Sequence, residues 1–137
     1  MRTKFYCILV LLACSIVLHA QNYKWEKAIP YRTEYKNSYM KQKCVLDVYY
    51  PTDKKDFPTV VWFHGGGLTV GDREIPRELR EQGIAVGVSY RLCAGNKDPK
   101  AINADVTTDD AVDDAAAAAA WVMENIARYG GNPSKIY

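Results

Sequence analysis

Histidine is scarce in this 137-residue sequence, which holds only His19 and His64. No C-x-x-C pair accompanies them, so no metal-ligand set is legible and no metal is expected. Excess charge of either sign is also lacking. Eighteen Lys and Arg face sixteen Asp and Glu, and no basic cluster stands out, which removes the electrostatic case for nucleic acid or an anionic membrane. Internal repeats are absent, and the one biased tract is Ala115 to Ala120. What remains, at 48% hydrophobic and 25% charged residues, is ordinary globular composition of a size that suits one domain.

Long apolar runs are missing except at the start. Arg2 and Lys4 precede an apolar stretch from Phe5 to Leu18, closed by His19-Ala20-Gln21. A basic leader, an apolar core too short to span a bilayer and a small residue at its end read as a secretory signal peptide over residues 1–20. The chain is therefore expected to be exported, to the periplasm or outside the cell, with its mature part at 21–137 and no stable membrane span after cleavage. An uncleaved N-terminal anchor is the first alternative. Lipidation at Leu11-Leu12-Ala13-Cys14 is the second, and it ranks lower because apolar sequence continues past Cys14. Cleavage leaves sixteen basic and sixteen acidic side chains, and a single cysteine pair, Cys44 and Cys93. In an oxidising compartment these two either bond or stay as separate buried thiols.

The most informative stretch is Thr59-Val60-Val61-Trp62-Phe63-His64-Gly65-Gly66-Gly67. Its β-branched and aromatic run reads as a strand buried on both faces, inside a parallel sheet. Three glycines then leave backbone N–H groups uncovered by side chains. Amides exposed where a buried strand ends are a place to hold negative charge.

Around this strand the pattern predicts two further strands, Tyr31–Lys36 and Lys43–Tyr50, on either side of an Asn37-Ser38 turn. Pro51 ends the second, and residues 52–58 form a charged turn. A short helix is expected over Arg73–Gln82, with Pro76 in its first turn and Gly83 past its end. Ile84–Tyr90 is another strand. A long helix begins near Thr107, where Thr107 and Asp110 have capping-box spacing with Asp in place of Glu. Its apolar stripe is Val112, Ala115, Ala119, Val122, Met123 and Ile126. Gly130-Gly131 ends it, and a last strand opens at Lys135. Two strands followed by strand, helix, strand, helix, strand predict an α/β fold: an N-terminal antiparallel hairpin leading into a parallel sheet with flanking helices. Ligands in such sheets sit beyond the carboxyl ends of the strands, where His64 to Gly67 lies.

Two chemistries use glycines there. Dinucleotide binding is disfavoured, because Gly65, Gly67 and Gly71 have one residue too many for G-x-G-x-x-G. The following strand also ends in Ser89-Tyr90-Arg91, with no acid for a ribose hydroxyl. No cofactor is expected. The other chemistry is an oxyanion hole, in which N–H groups meet the charge that develops on a carbonyl oxygen during acyl transfer.

Val61-Trp62-Phe63-His64-Gly65-Gly66-Gly67, Val88-Ser89-Tyr90-Arg91-Leu92, Asp114-Ala115-Ala116-Ala117-Ala118 with Trp121, and Tyr129-Gly130-Gly131-Asn132-Pro133-Ser134-Lys135-Ile136 resemble successive landmarks of one family. It is the carboxylesterase and hormone-sensitive-lipase-like branch of the α/β-hydrolases, with its HGGG-type motif. The texture is similar to secreted bacterial feruloyl and acetylxylan esterases. The resemblance covers roughly Lys43 to Tyr137 and implies an incomplete α/β-hydrolase fold. It implies that Gly65 and Gly66 carry the oxyanion amides, that Gly67 lets the loop turn, and that His64 supports the loop without acting as base. It further implies a structural ion pair between Arg91 and Asp114. In the family's sheet order the second strand lies antiparallel beside the fourth, which would bring Cys44 and Cys93 within disulfide range. The implied substrate is a small-molecule or polysaccharide-linked ester.

In the family, the strand opening at Lys135 runs into G-x-S-x-G, and the acid and base follow. Here the sequence stops at Tyr137, and Gly130-Gly131-Asn132-Pro133-Ser134 has the wrong spacing for that elbow. Ser38, Ser89 and Ser134 have no available histidine as base. The 137 residues alone are thus expected to lack a nucleophile, acid and base and to be inactive. An exposed sheet edge is expected to favour self-association. The alternative is a non-catalytic pseudoenzyme or binding remnant of the same fold.

Overall fold

The computed structural model describes residues 22–53, 55–80, 82–95 and 99–137. The expected signal segment, with Cys7, Cys14 and His19, lies outside them. Strand β1 spans Tyr23–Pro30, helix α1 Ser38–Lys43, β2 Val45–Pro51, β3 Phe57–Phe63, β4 Ile84–Val88, helix α2 Thr108–Asn125 and β5 Gly131–Ile136. They build a five-stranded mixed sheet in the order β1-β2-β4-β3-β5. The pairs β1/β2 and β2/β4 are antiparallel, while β3 runs parallel to both β4 and β5.

The buried centre is β4. All five of its residues are buried, and Ile84, Val86 and Val88 pack with Leu46 and Val48 of β2 and with Ala118, Val122 and Ile126 beside them. The expectation of two buried faces for β3 is corrected: Thr59 is sealed, but Trp62 and Phe63 are each 38% exposed. Val61, on the Phe63 side of the strand, still packs against the core.

Other differences have local causes. The first strand is Tyr23–Pro30, not Tyr31–Lys36. It is held from a distance, by Tyr23 stacked on Tyr49 at 4.8 Å and by Asp47. That buried carboxylate accepts from Trp25 Nε1 at 3.2 Å and from the backbone N–H of Ala28 at 2.8 Å. The second contact falls at the bulge between Glu26 and Ile29, where Ala28 takes φ 54°. Asn37 is a helix N-cap and not a turn residue, since its side chain accepts the Met40 N–H at 2.8 Å.

The helix expected over 73–82 reduces to one 3-10 turn at Arg77–Leu79. Arg73 Nε is committed to Asp47 Oδ1 at 2.6 Å, and Ile75 is fully buried. The chain here runs so close to the sheet that a Cβ on Gly87 would stand 2.4 Å from the Arg73 carbonyl oxygen. Long-range contacts have overridden local helix preference.

Helix α2 starts as expected. Thr107 Oγ1 accepts the Asp110 N–H at 3.2 Å, and Asp110 Oδ2 accepts the Thr107 N–H at 3.0 Å, which is a complete capping box. Its buried face, however, is Ala111, Asp114, Ala118 and Val122. Val112 and Met123, assigned above to the buried stripe, are 61% and 59% exposed. The Asp114 carboxylate faces inward and sets the rotation of the helix. Strand β5 begins at Gly131, four residues before Lys135; as an edge strand it tolerates Pro133. Among the described residues no helix is long and apolar enough to cross a membrane.

Candidate functional site

Parallel pairing of β3 with β4 brings Phe63 opposite Val88, so both strands deliver their following residues to one rim. Those residues are His64 to Gly71 and Ser89 to Cys93. The first segment folds back on itself. Gly66 O accepts the Thr69 and Val70 N–H groups at 3.2 and 3.3 Å, and Leu68 O accepts the Cys93 N–H at 2.8 Å. Gly66 sits at φ +123°, where a Cβ would lie 2.1 Å from the Val70 carbonyl oxygen. No other residue fits there.

The N–H groups of Gly65, Gly66 and Gly67 donate to nothing among the described residues, and all three glycines are exposed. Three successive free amides at one rim form a ready donor set for an anion or a developing oxyanion.

His64 is built into this loop. Its Nδ1 lies 2.8 Å from Gly65 O, and because a carbonyl only accepts, Nδ1 is the nitrogen that carries the proton. Its ring stacks on Tyr90 at 4.5 Å with 6° between planes. The Tyr90 hydroxyl donates to His64 O at 2.7 Å. Burial pushes the Tyr90 phenol above its ordinary pKa, which keeps it a protonated donor. His64 Nε2 is buried without a partner among the described residues. Ser89 Oγ is likewise buried and unpartnered, and no described serine bonds to His64.

The loop has two different flanks. On one, a cavity of about 280 Å³ is lined by Phe63, Leu68, Tyr90, Ala111, Val112 and Ala115 together with His64. On the other, Trp62, Asp72 and Glu74 stand beside Gly65 around a hollow of about 340 Å³. Burial pushes the Asp72 carboxyl up, but the Arg73 backbone N–H and the charges of Lys43 and Arg73 hold it below the usual carboxylate range.

Arg91 and Asp114 meet directly. Arg91 Nε and Nη2 reach the two Asp114 oxygens at 2.7 and 2.9 Å, and the Arg91 backbone N–H adds a third contact at 3.0 Å. Both side chains are buried. The sequence reading missed the rest of the network: Arg91 also reaches Asp110 Oδ1 at 2.8 Å, and Arg32 Nε donates to Asp114 Oδ1 at 3.1 Å. No local pattern marks Arg32, which arrives from 82 residues away.

The disulfide considered above is corrected, because Cys44 and Cys93 are both free. Cys44 is sealed in the core with Tyr31 and Met40, whereas Cys93 is tied by its backbone to Leu68 on the glycine loop. Burial first, then the Asp114 charge, pushes the Cys44 thiol up to about 11. Among the described residues no cluster of His, Cys, Asp and Glu could hold a metal.

A mixed sheet with an antiparallel start, a parallel interior, a crossover helix and a glycine-rich rim after β3 is the partial sheet of an α/β-hydrolase. Comparison with known proteins agrees. The chain belongs to the carboxylesterase family, whose model matches residues 17–137. Carboxylesterase NlhH of Mycobacterium tuberculosis is 38% identical over 96 residues, which cover 65% of this chain and 27% of that protein. The cocaine esterase of Oryctolagus cuniculus is 33% identical over 109 residues, covering 71% of this chain and 20% of that one. Among solved structures, esterase B of Lactobacillus rhamnosis superposes with a TM-score of 0.61 at 27% identity, over 80% of this chain and 33% of its own. The chain thus spans between a fifth and a third of the length of these relatives.

Proposed function

We propose that this chain supplies the oxyanion loop of an exported serine carboxylesterase, whose nucleophile, acid and base lie on sequence beyond these residues. The observation that carries the reading is the run of free Gly65, Gly66 and Gly67 amides at the end of β3. Attack on an ester carbonyl moves charge onto its oxygen, and an amide already aimed there stabilises that charge without reorganising. Each such donor is worth about 3 to 4 kcal/mol of barrier. His64 supports this role and does not serve as base, since Nε2, the nitrogen left to accept a proton, is buried and no described serine bonds to it.

The HGGG-type sequence His64 to Gly67 and the resemblance to feruloyl and acetylxylan esterases favour small-molecule or polysaccharide-linked esters. The same reading includes no cofactor, no metal and no nucleic-acid partner. It includes export through residues 1–20, and self-association along the outer edge of β5, where Tyr137 is 75% exposed.

The test begins with the reading frame past Tyr137, which is expected to enter G-x-S-x-G. The 137-residue chain is expected to leave p-nitrophenyl acetate intact, whereas the extended protein hydrolyses it. In that protein Gly66→Ala should push the loop off its path, because its Cβ would meet the Val70 carbonyl oxygen, and misaiming one oxyanion donor should lower kcat about 10²- to 10³-fold. Serine-inhibitor-sensitive hydrolysis by the 137 residues alone would refute the assignment. A continued frame without the elbow would establish a non-catalytic remnant instead.

A further inference from the structure

The carbonyls behind the free amides are all occupied: Gly66 O takes the Thr69 and Val70 N–H groups and the Thr69 hydroxyl, and the other two take ring side chains. A trans peptide is one planar unit with C=O and N–H on opposite edges, so whatever holds the oxygen also aims the N–H. The Gly65 N–H shares its peptide with His64 O, which takes the Tyr90 hydroxyl at 2.7 Å. The Gly66 N–H shares its peptide with Gly65 O, which takes the His64 Nδ1 proton at 2.8 Å. The stacked Tyr90 and His64 rings make these two donors one unit. Gly71 leaves room for that unit, because a Cβ there would stand 2.1 Å from His64 Nδ1 and 2.7 Å from Gly65 O.

We propose that Tyr90 is a positioning residue for the oxyanion loop, forming with His64 a relay that aims and polarises the Gly65 and Gly66 N–H groups from behind. A hydrogen bond at the carbonyl draws electron density from the amide and makes its N–H a stronger donor, by roughly 10–30% per bond. Tyr90 is buried at 5% exposure and its hydroxyl is committed to His64 O, so it acts through the peptide. The catalytic consequence rests on the oxyanion reading above, while the polarisation of the amides does not.

The two are separated by pairing a spectroscopic readout with kinetics. In the chain labelled with ¹⁵N-glycine, Tyr90→Phe keeps the ring and removes the donor, so the Gly65 amide proton should move upfield. Fluorinated tyrosine at position 90, measured while its phenol is protonated, is a stronger donor and should move the same proton downfield. A residue that merely fills space would not give opposite signs. In the extended, ester-hydrolysing protein, Tyr90→Phe should lower kcat about tenfold, or about 1.4 kcal/mol of barrier, with KM unchanged. A Gly65 proton that both changes leave in place overturns the relay, even if kcat falls. A proton that moves while kcat stays constant overturns the catalytic consequence and leaves the relay standing. If the unaltered extended protein has no ester turnover, the oxyanion reading falls and the two proton shifts alone judge the relay.

Discussion

Replacing Asp114 with alanine tests what holds the rim in place. Its carboxylate is fully buried and accepts from the Arg91 backbone N–H, Arg91 Nε, Arg91 Nη2 and Arg32 Nε. Alanine removes all four acceptor contacts and leaves the Arg91 guanidinium, on a residue 5% exposed, with Asp110 alone. Breaking a buried pair by deleting one partner costs about 3–5 kcal/mol, because the remaining charge stays buried without compensation. The surviving Asp110 contact puts the expectation near the lower end, about 3 kcal/mol. Against a total stability of about 5–15 kcal/mol this is a large share, and at a few degrees per kcal/mol it lowers Tm by about 10 °C. Urea unfolding followed by tryptophan fluorescence reads the loss. The double variant Arg91→Met, Asp114→Leu separates a pair from two unrelated charges: an apolar replacement of both partners should recover most of the stability. Additive single losses, or a cost for Asp114→Ala below about 1 kcal/mol as for a surface pair, would refute the argument.

Two smaller predictions concern groups in the same network. The Asp110 carboxyl is held below its ordinary range first by the Thr107 backbone N–H, then by the Thr107 hydroxyl. A lowered folded pKa means stability that is present above the unfolded value of about 3.9 and is lost as pH falls through the folded value. Asp110→Asn should therefore flatten the acid limb of a urea-midpoint-against-pH curve, and an unchanged limb would count against the capping role. For the thiols, native treatment with a disulfide reagent and peptide mapping should find label on Cys93 and not on Cys44 until urea is added. The thiolate is the reactive form, and the Cys44 thiol sits near 11; labelling of both at one rate in native conditions would contradict its burial.

The parts of the fold legible in sequence are those whose signal is local. The run Val60 to Phe63, the strand expected over Ile84 to Tyr90 and the Thr107–Asp110 box each announce themselves within a few residues, and each forms, the strand ending two residues early at Val88. The strand Tyr23–Pro30 does not, because Lys24, Glu26 and Lys27 interrupt its pattern and its stability comes from Asp47 and Tyr49 some twenty residues on. The segment 73–82 fails in the opposite direction. Pro76 and Gly83 frame a plausible helix, yet the Arg73–Asp47 contact and the buried Ile75 hold the chain extended against Gly87. In α2 the apolar residues occupy two adjacent faces, so periodicity alone could not decide which one packs. The Asp114 carboxylate decides it, by turning toward Arg91.

The site follows the same division. Glycines after a strand are visible as letters, and they indicate that amides are free; they do not show where those amides point. That is determined by contacts to the other edge of each peptide, made by Tyr90 and by the imidazole next in line. His64 and Tyr90 stand 26 positions apart, and parallel pairing of β3 with β4 brings their strand ends together. A rim of this kind therefore depends on the neighbouring strand as much as on its own glycines. If Gly65 and Gly66 serve as the proposed oxyanion donors, that role requires β4 in register, the phenol protonated and position 71 without a side chain, and a change at any of these should be felt at amides it never touches.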